Sequence, residues 1–269
     1  MLSKITGGQT TLLFTATILN KYKVSYFQCN ETGFVQTEEP YWLDEAYSSV
    51  ITKLDIGLLG RNINLSNELE KILSKNFNAD GKFLDYGGGY GVFTRLMRDK
   101  GFDFYNTDRY CDNLFAEFFD LKDIDTDTRF EMVTAFEVME HLPNPYAELE
   151  TVLKYSDSFL FSTELLPNPT PKSVNDWWYF IPETGQHVSI FTEAALAYMA
   201  KKLGYNFYTD GQRWHLFTKK ELRTNPFKIR DPFFIRKMRK FLRKHDKQVY
   251  NLRETLLQRD WEMIKSKLG

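Results

Sequence analysis

From Gly81 onward, short apolar runs alternate with segments whose apolar residues recur at helical spacing. Lys82 to Tyr86, Phe102 to Asn106, Phe130 to Phe136 and Phe159 to Thr163 read as strands, and Val92 to Lys100 and Tyr146 to Leu153 read as helices. This alternation predicts a doubly wound α/β sheet. A helix over Thr192 to Leu203, with Gly204 at its C-cap, precedes two more strand-like runs, Tyr205 to Tyr208 and Arg213 to Thr218, that would close the sheet as an antiparallel pair. The first 80 residues read as turns and short helices. Leu43 to Leu59 and Leu65 to Phe77 have helical spacing, with Ser66 as N-cap of the second and Glu68 and Glu70 in its first turn. Three regions follow: an N-terminal lid over 1–80, an α/β domain over 81–224 and a C-terminal tail over 225–269.

Between the strand ending near Thr163 and the helix at Thr192 lies a long connection, LLPNPTPKSVNDWWYFIPETGQHVSIF. Connections of this length are functional or disordered. The aromatics Trp177, Trp178, Tyr179 and Phe180 argue against disorder.

At 269 residues, 42% hydrophobic and 26% charged, the chain can bury a sizeable core. It has no apolar run long enough to span a bilayer and no signal-peptide pattern at its start, so a soluble, cytoplasmic protein is expected. Cys29 and Cys111 are too far apart for a metal knuckle and are expected as reduced thiols. The formal net charge of −1 hides an asymmetry: from Pro226 to Gly269, thirteen Lys or Arg stand against five Asp or Glu, so the tail is +8 and the remainder −9. Ile235, Met238 and Leu242, then Leu257, Trp261, Ile264 and Leu268, fall at helical spacing. The tail therefore reads as amphipathic helices docked on the body or a second subunit, or as a surface for an anionic partner such as a phosphorylated glycan carrier, lipid or RNA.

The stretch Leu84-Asp85-Tyr86-Gly87-Gly88-Gly89-Tyr90-Gly91 ends the first strand of this region and opens a helix. Gly87, Gly89 and Gly91 allow a sharp turn and a close approach to a ligand, while the helix start offers free N–H groups. The pattern is D-x-G-x-G-x-G and not the dinucleotide fingerprint. Asp85 would repel a pyrophosphate but suits an ammonium, and Asp108, at the end of the next strand, can accept both hydroxyls of a ribose.

With these residues, Gly81 to Thr218 resembles a class I S-adenosylmethionine-dependent methyltransferase domain. The resemblance implies a Rossmann-like, seven-stranded sheet, S-adenosylmethionine as cofactor, and Asp120, in Phe118-Phe119-Asp120-Leu121, near the adenine.

The run Phe136-Glu137-Val138-Met139-Glu140-His141 follows a strand, so in a helical turn Glu137, Glu140 and His141 would share a face at the carboxyl end of the sheet. This E-x-x-E-H, together with His187 in Gly185-Gln186-His187-Val188-Ser189-Ile190-Phe191-Thr192, resembles small-RNA 2′-O-methyltransferases and ubiquinone-pathway O-methyltransferases. For Glu137, Glu140, His141 and His187 three roles stand open. They hold Mg²⁺ or another divalent cation, or they serve without metal with His141 or His187 as a general base near its natural pKa and Glu137 beside it, or they are a structural helix start.

Tyr26 to Asn62 resembles the N-terminal region of methyltransferases of bacterial surface-polysaccharide biosynthesis. That resemblance implies a sugar or glycan-precursor acceptor. Cys29 alone gives no zinc knuckle, and Trp177 to Phe180 would stack on a sugar or cover the sheet edge. Two further readings stand beside glycan O-methylation: RNA 2′-O-methylation, and a non-catalytic cofactor-binding module in a glycan-assembly complex.

Overall fold

The computed structural model describes residues 1–47, 55–227 and 253–268. The expected sheet is there with six strands instead of seven, in the order β5-β4-β6-β7-β10-β9. The strands are β4 (Lys82–Tyr86), β5 (Asp103–Thr107), β6 (Met132–Phe136), β7 (Ser158–Ser162), β9 (Asn206–Thr209) and β10 (Trp214–Thr218). The first four run parallel, and β10 is antiparallel to both β7 and β9. Beyond β5, where a seventh strand would lie, only a single parallel bridge joins Asn106 to Asp120. The chain curls there into a 3-10 turn at Leu121–Asp123, capped reciprocally by Asp120 and Asp123, and the turn consumes the hydrogen bonds that a strand would need.

Helices cover both faces. Leu65, Leu69, Ile72 and Leu73 of α2 (Leu58–Asn76) and Phe93 and Met97 of α3 (Val92–Asp99) bury one side against Phe83, Phe104 and Leu160. Leu149 and Val152 of α4 (Pro145–Val152) and Ala195, Leu196 and Met199 of α5 (Glu193–Leu203) bury the other against Leu84, Val133 and Phe161. Helix α5 stops at left-handed Gly204, as the sequence predicts, and Thr192 is its N-cap and not its first residue. Ser66 is not an N-cap: α2 already begins at Leu58, and the Ser66 hydroxyl donates back to the Ile63 carbonyl.

The start of the N-terminal region is corrected more deeply, since residues 10–37 form three strands. β1 (Thr10–Ile18), β2 (Tyr22–Cys29) and β3 (Val35–Thr37) join β8 (Ser189–Ile190) in a separate antiparallel sheet; of the expected Leu43 to Leu59 helix, α1 (Leu43–Ala46) and the start of α2 are helical, and residues 48–54 lie outside the described residues. The run TTLLFTATI is rich in Thr and aliphatic residues and carries no charge, a strand pattern, and the turn into β2 uses left-handed Leu19 and Asn20. Because β8 comes from the long connection, the second sheet pins that connection down. Trp42, Tyr26, Tyr179, Phe180 and Ile190 share its core.

The tail contributes α6 (Leu257–Leu268); Ile235, Met238 and Leu242 lie outside the described residues. The sequence predicts an apolar docking stripe for α6, yet the residue it buries is Asp260, 2% exposed. Arg98, itself 1% exposed, donates to both Asp260 oxygens at 2.8 Å, and Arg95 adds a 2.9 Å bond. Removing one partner of such a buried pair leaves an uncompensated charge. Asp260→Ala should therefore cost about 3 kcal/mol in urea unfolding and should expose residues 253–268 to limited proteolysis.

Candidate active site

Two loops meet at the carboxyl ends of β4 and β6, which are adjacent parallel strands. The first is the glycine loop. Gly87, Gly89 and Gly91 have φ of +69°, +55° and +80°, a region in which a side chain is strained. A Cβ on Gly87 would also meet Val138 Cγ2 at 2.7 Å, so this turn packs directly on the segment that carries the glutamates. The tightest position is Gly88, which the spacing argument passes over: a Cβ there would lie 2.0 Å from Asn106 Oδ1 and 2.5 Å from Asp85 Oδ2. Beside Gly89, by contrast, a Cβ would meet nothing within 4 Å, so the loop is open where a ligand would approach.

Asp85 is 2% exposed and accepts a 2.8 Å hydrogen bond from Thr134 Oγ1. Burial, with a smaller push from Asp108, raises its carboxyl to about 7. A buried carboxylate without a cation suits the ammonium of an amino-acid moiety. Asp108 is turned toward the same loop: one oxygen accepts from Gly89 N at 2.9 Å, the other from Tyr110 N and Cys111 N at 2.7 and 2.8 Å. Asp120 sits one shell further out, where it caps its own turn and accepts from Asn113 Nδ2 at 3.0 Å. The Asn113 carboxamide packs against Gly91 and binds Ala116. Asn106, Asn113 and Thr134 shape the loop without any motif to announce them.

The second loop is the 3-10 turn Met139–His141. Glu140, fully buried, accepts a 2.6 Å hydrogen bond from Tyr179 Oη, and its other oxygen has no partner among the described residues. His187 comes from the long connection, placed by the Val188 N–H bond to the Glu140 carbonyl. Its Nδ1 lies 2.6 Å from the Tyr179 carbonyl, which leaves Nε2 free for a ligand. The rings of His141 and His187 are 4.9 Å apart and perpendicular, and His141 Nδ1 is buried without a hydrogen-bond partner among the described residues. One ligand atom from each of Glu140, His141 and His187 lies within 4.8 Å of the others.

Glu137 is not in that group. It adopts left-handed φ of +56°, and Ser162 anchors it twice, through a 2.9 Å bond from Glu137 N to the hydroxyl and a 2.5 Å bond from the hydroxyl to the carboxylate. Tyr179 Oη reaches it at 3.4 Å, so the tyrosine sits between the two glutamates.

Burial, reinforced by Glu137, raises the Glu140 carboxyl well above the ordinary range. Burial lowers His141 to about 4, and burial followed by the neighbouring His141 lowers His187 to about 3. A histidine titrating near its natural pKa is therefore not what the fold builds: desolvation holds both imidazoles neutral. Neutral imidazoles and one carboxylate with free lone pairs fit a divalent cation, and two nitrogens favour a borderline metal over Mg²⁺.

The aromatic connection divides. Tyr179 and Phe180 are core residues, whereas Trp178 is 68% exposed. Tyr47 stacks on Tyr110 at 5.1 Å and lies 6.3 Å from the His141 ring, so an aromatic wall joins the Asp108 turn to the histidines.

Residues 61–209 match the family model described as a methyltransferase domain. The chain belongs to that family, and its six-stranded sheet and glycine loop are those of an S-adenosylmethionine-dependent methyltransferase. Solved structures to which it is similar include TnmH, at 15% identity over 67% of this chain and 62% of that one with a TM-score of 0.47. An O-methyltransferase family 2 protein from Planctomyces limnophilus DSM 3776 matches at 11% identity over 62% and 61% of the two chains, TM-score 0.47. The plantazolicin methyltransferase BpumL matches at 10% identity over 66% and 90%, TM-score 0.45. The chain spans about three fifths of the length of the first two. No curated protein sequence matches it.

Because the folded Asp85 titrates at about 7 against an ordinary 3.8, the folded protein retains a proton that the unfolded chain has released between those values. Stability from this group is complete below pH 4 and is lost as pH rises through 7. Asp85→Asn removes that loss, so its melting temperature minus that of the parent should grow in scans from about pH 4 to about pH 7 and level off above that.

Proposed function

We propose that this chain transfers the methyl group of S-adenosylmethionine to a hydroxyl oxygen, with a divalent cation held by Glu140, His141 and His187. The observation that carries the reading is that three-residue donor set, with Glu140 and His187 buried and His141 half-buried, packed through Val138 against the glycine loop. When bound, S-adenosylmethionine supplies a methyl already activated by its sulfonium, so the protein chiefly positions the acceptor. When bound, the cation would lower the pKa of the acceptor hydroxyl, whose proton would leave to solvent as the oxygen gains the methyl and S-adenosylhomocysteine is released.

The chain's own groups do the rest. Asp85 faces the ammonium, Gly87, Gly89 and Gly91 allow close backbone approach, and Asp108 is oriented by Gly89 N–H toward the ribose. Asp120 acts by holding the Asn113 loop under the adenine side. Tyr179 Oη orients Glu140, and Glu137, fixed by Ser162, adds negative charge next to it. The neutral imidazoles donate lone pairs and exclude water.

The acceptor proposed is a sugar or glycan precursor. Exposed Trp178, edge-on to Tyr179 at 5.2 Å, offers an aromatic face within reach of the cluster. Cytoplasmic residence accords with this reading, and no helix among the described residues is long and apolar enough to cross a membrane.

Labelled S-adenosylmethionine, incubated with nucleotide-sugar, phosphoglycan and RNA pools, distinguishes the acceptors. Label in carbohydrate is expected. Label in RNA would establish 2′-O-methylation instead, and label in neither, with cofactor bound, would indicate a silent module. His187→Ala and Glu140→Gln should each lower turnover by about 10²-fold or more while calorimetric binding of S-adenosylmethionine is unchanged. Chelator should abolish labelling, and Mn²⁺ or Zn²⁺ should restore it better than Mg²⁺.

A further inference from the structure

Strand β5 is an edge of the main sheet, and beside it, toward α6, a cavity of about 360 Å³ remains open. That volume lies within the roughly 300 to 1,000 Å³ usual for small-molecule sites. The cavity starts at Lys82 and Asp103, the first residues of β4 and β5, so it lies toward the end of the sheet opposite the glycine loop. No group assigned above to methyl transfer lines it. Three rings do: Tyr105, Phe118 and Phe119. Each has a cation on its face, with Lys82 Nζ 4.9 Å from the centre of Tyr105, the Arg98 guanidinium 3.6 Å from Phe119 and Lys267 Nζ 5.0 Å from Phe118. Phe118 also holds a left-handed φ of +67°, a conformation that bulky side chains avoid.

The charges around the cavity do not balance. Arg98 binds Asp260, and Asp103 is shared by Arg98 at 2.7 Å, Lys82 at 2.9 Å and Arg259 at 3.3 Å. Asp123 is turned to its own loop, where it accepts from Asp120 N at 3.0 Å. Lys267 has no ion-pair partner among the described residues. Arg259 and Lys267, two turns apart, lie on the same face of α6, and both are largely exposed. One carboxylate among three cations, with a further cation left over, makes this a place for negative charge. A bare inorganic ion would leave the rings of Tyr105 and Phe118 facing water, whereas a flat ring would cover them. A phosphate, with three acceptor oxygens and close to two charges, can meet more than one of the cations at once.

We propose that this cavity binds an organic phosphate carrying a flat ring, of the size of a nucleoside monophosphate, with its phosphate on the Lys267 and Arg259 side and its ring against Phe118 and Tyr105. The site stands behind the cofactor loop and apart from it. Phe119 O accepts from Asn106 N at 2.7 Å, and Asp120, the next residue, binds Asn113, which packs on Gly91. Binding there does not depend on which hydroxyl the enzyme methylates.

The test is calorimetric titration of the full chain with uridine 5′-monophosphate, in excess S-adenosylmethionine so that the nucleotide does not enter the cofactor loop. Saturable binding is expected, about tenfold tighter than that of uridine or of inorganic phosphate alone. Lys267→Glu should weaken it about tenfold or more. Phe118→Gly, which removes the ring and suits the left-handed backbone, should weaken it by a similar factor while the melting temperature holds. If Phe118→Gly melts early, Lys267→Glu decides, since Lys267 makes no ion pair that folding could lose among the described residues. Absence of heat up to about 1 mM nucleotide overturns the proposal. So does an affinity unchanged in Lys267→Glu, and so does inorganic phosphate or uridine binding as tightly as the nucleotide. Should S-adenosylmethionine itself give no heat, the methyltransferase reading fails on its own, and the two variants still locate the nucleotide.

Discussion

Asp85 and Glu140 carry their carboxyl groups out of water at the ends of adjacent parallel strands, and desolvation disfavours the ionised form of each. A fold tolerates such groups when their hydrogen bonds are arranged for them: Thr134 for Asp85, Tyr179 for Glu140. The arrangement is incomplete in each case, since no cation faces Asp85 and one oxygen of Glu140 has no partner among the described residues. Positive charge would relieve both, and the ammonium-bearing cofactor and the metal ion proposed above would each bring it.

The rest of the architecture maintains that exclusion of water. The second sheet recruits β8 from the long connection, and with it His187 and Tyr179, so its hydrophobic core around Trp42 and Phe180 is what closes the site. Glu137 holds its strained backbone because Ser162 on the neighbouring strand binds both its N–H and its carboxylate. At the far end of α3, whose first turn belongs to the glycine loop, Arg98 fastens the C-terminal helix through a carboxylate. The body thereby holds α6 by charge and leaves its indole outside.

The main sheet was legible because its strands are buried on both faces and its helices on one, so the apolar period changes visibly between them. β4 to β7, β9 and β10 fall within a residue or two of the runs read from sequence, as does α5 with its glycine C-cap. The N-terminal strands were missed because they form a small sheet whose outer face is wet. A Thr-rich run such as TTLLFTATI announces strand only by side-chain type, with no clean alternation to confirm it. The seventh strand failed to form because Asp120 spends its hydrogen bonds on a local turn.

By itself the sequence determined the α/β alternation, the glycine loop with its acid, and the run from Glu137 to His141, since these depend on residues near one another along the chain. Only the tertiary structure decided which of those groups meet. His187 arrives 46 positions after His141 through a sheet that local periodicity does not show, and Glu137 leaves the cluster because Ser162, on another strand, captures it. Protonation was likewise decided by the fold, because a side chain's ordinary pKa is a property of its type, whereas desolvation is a property of everything packed around it.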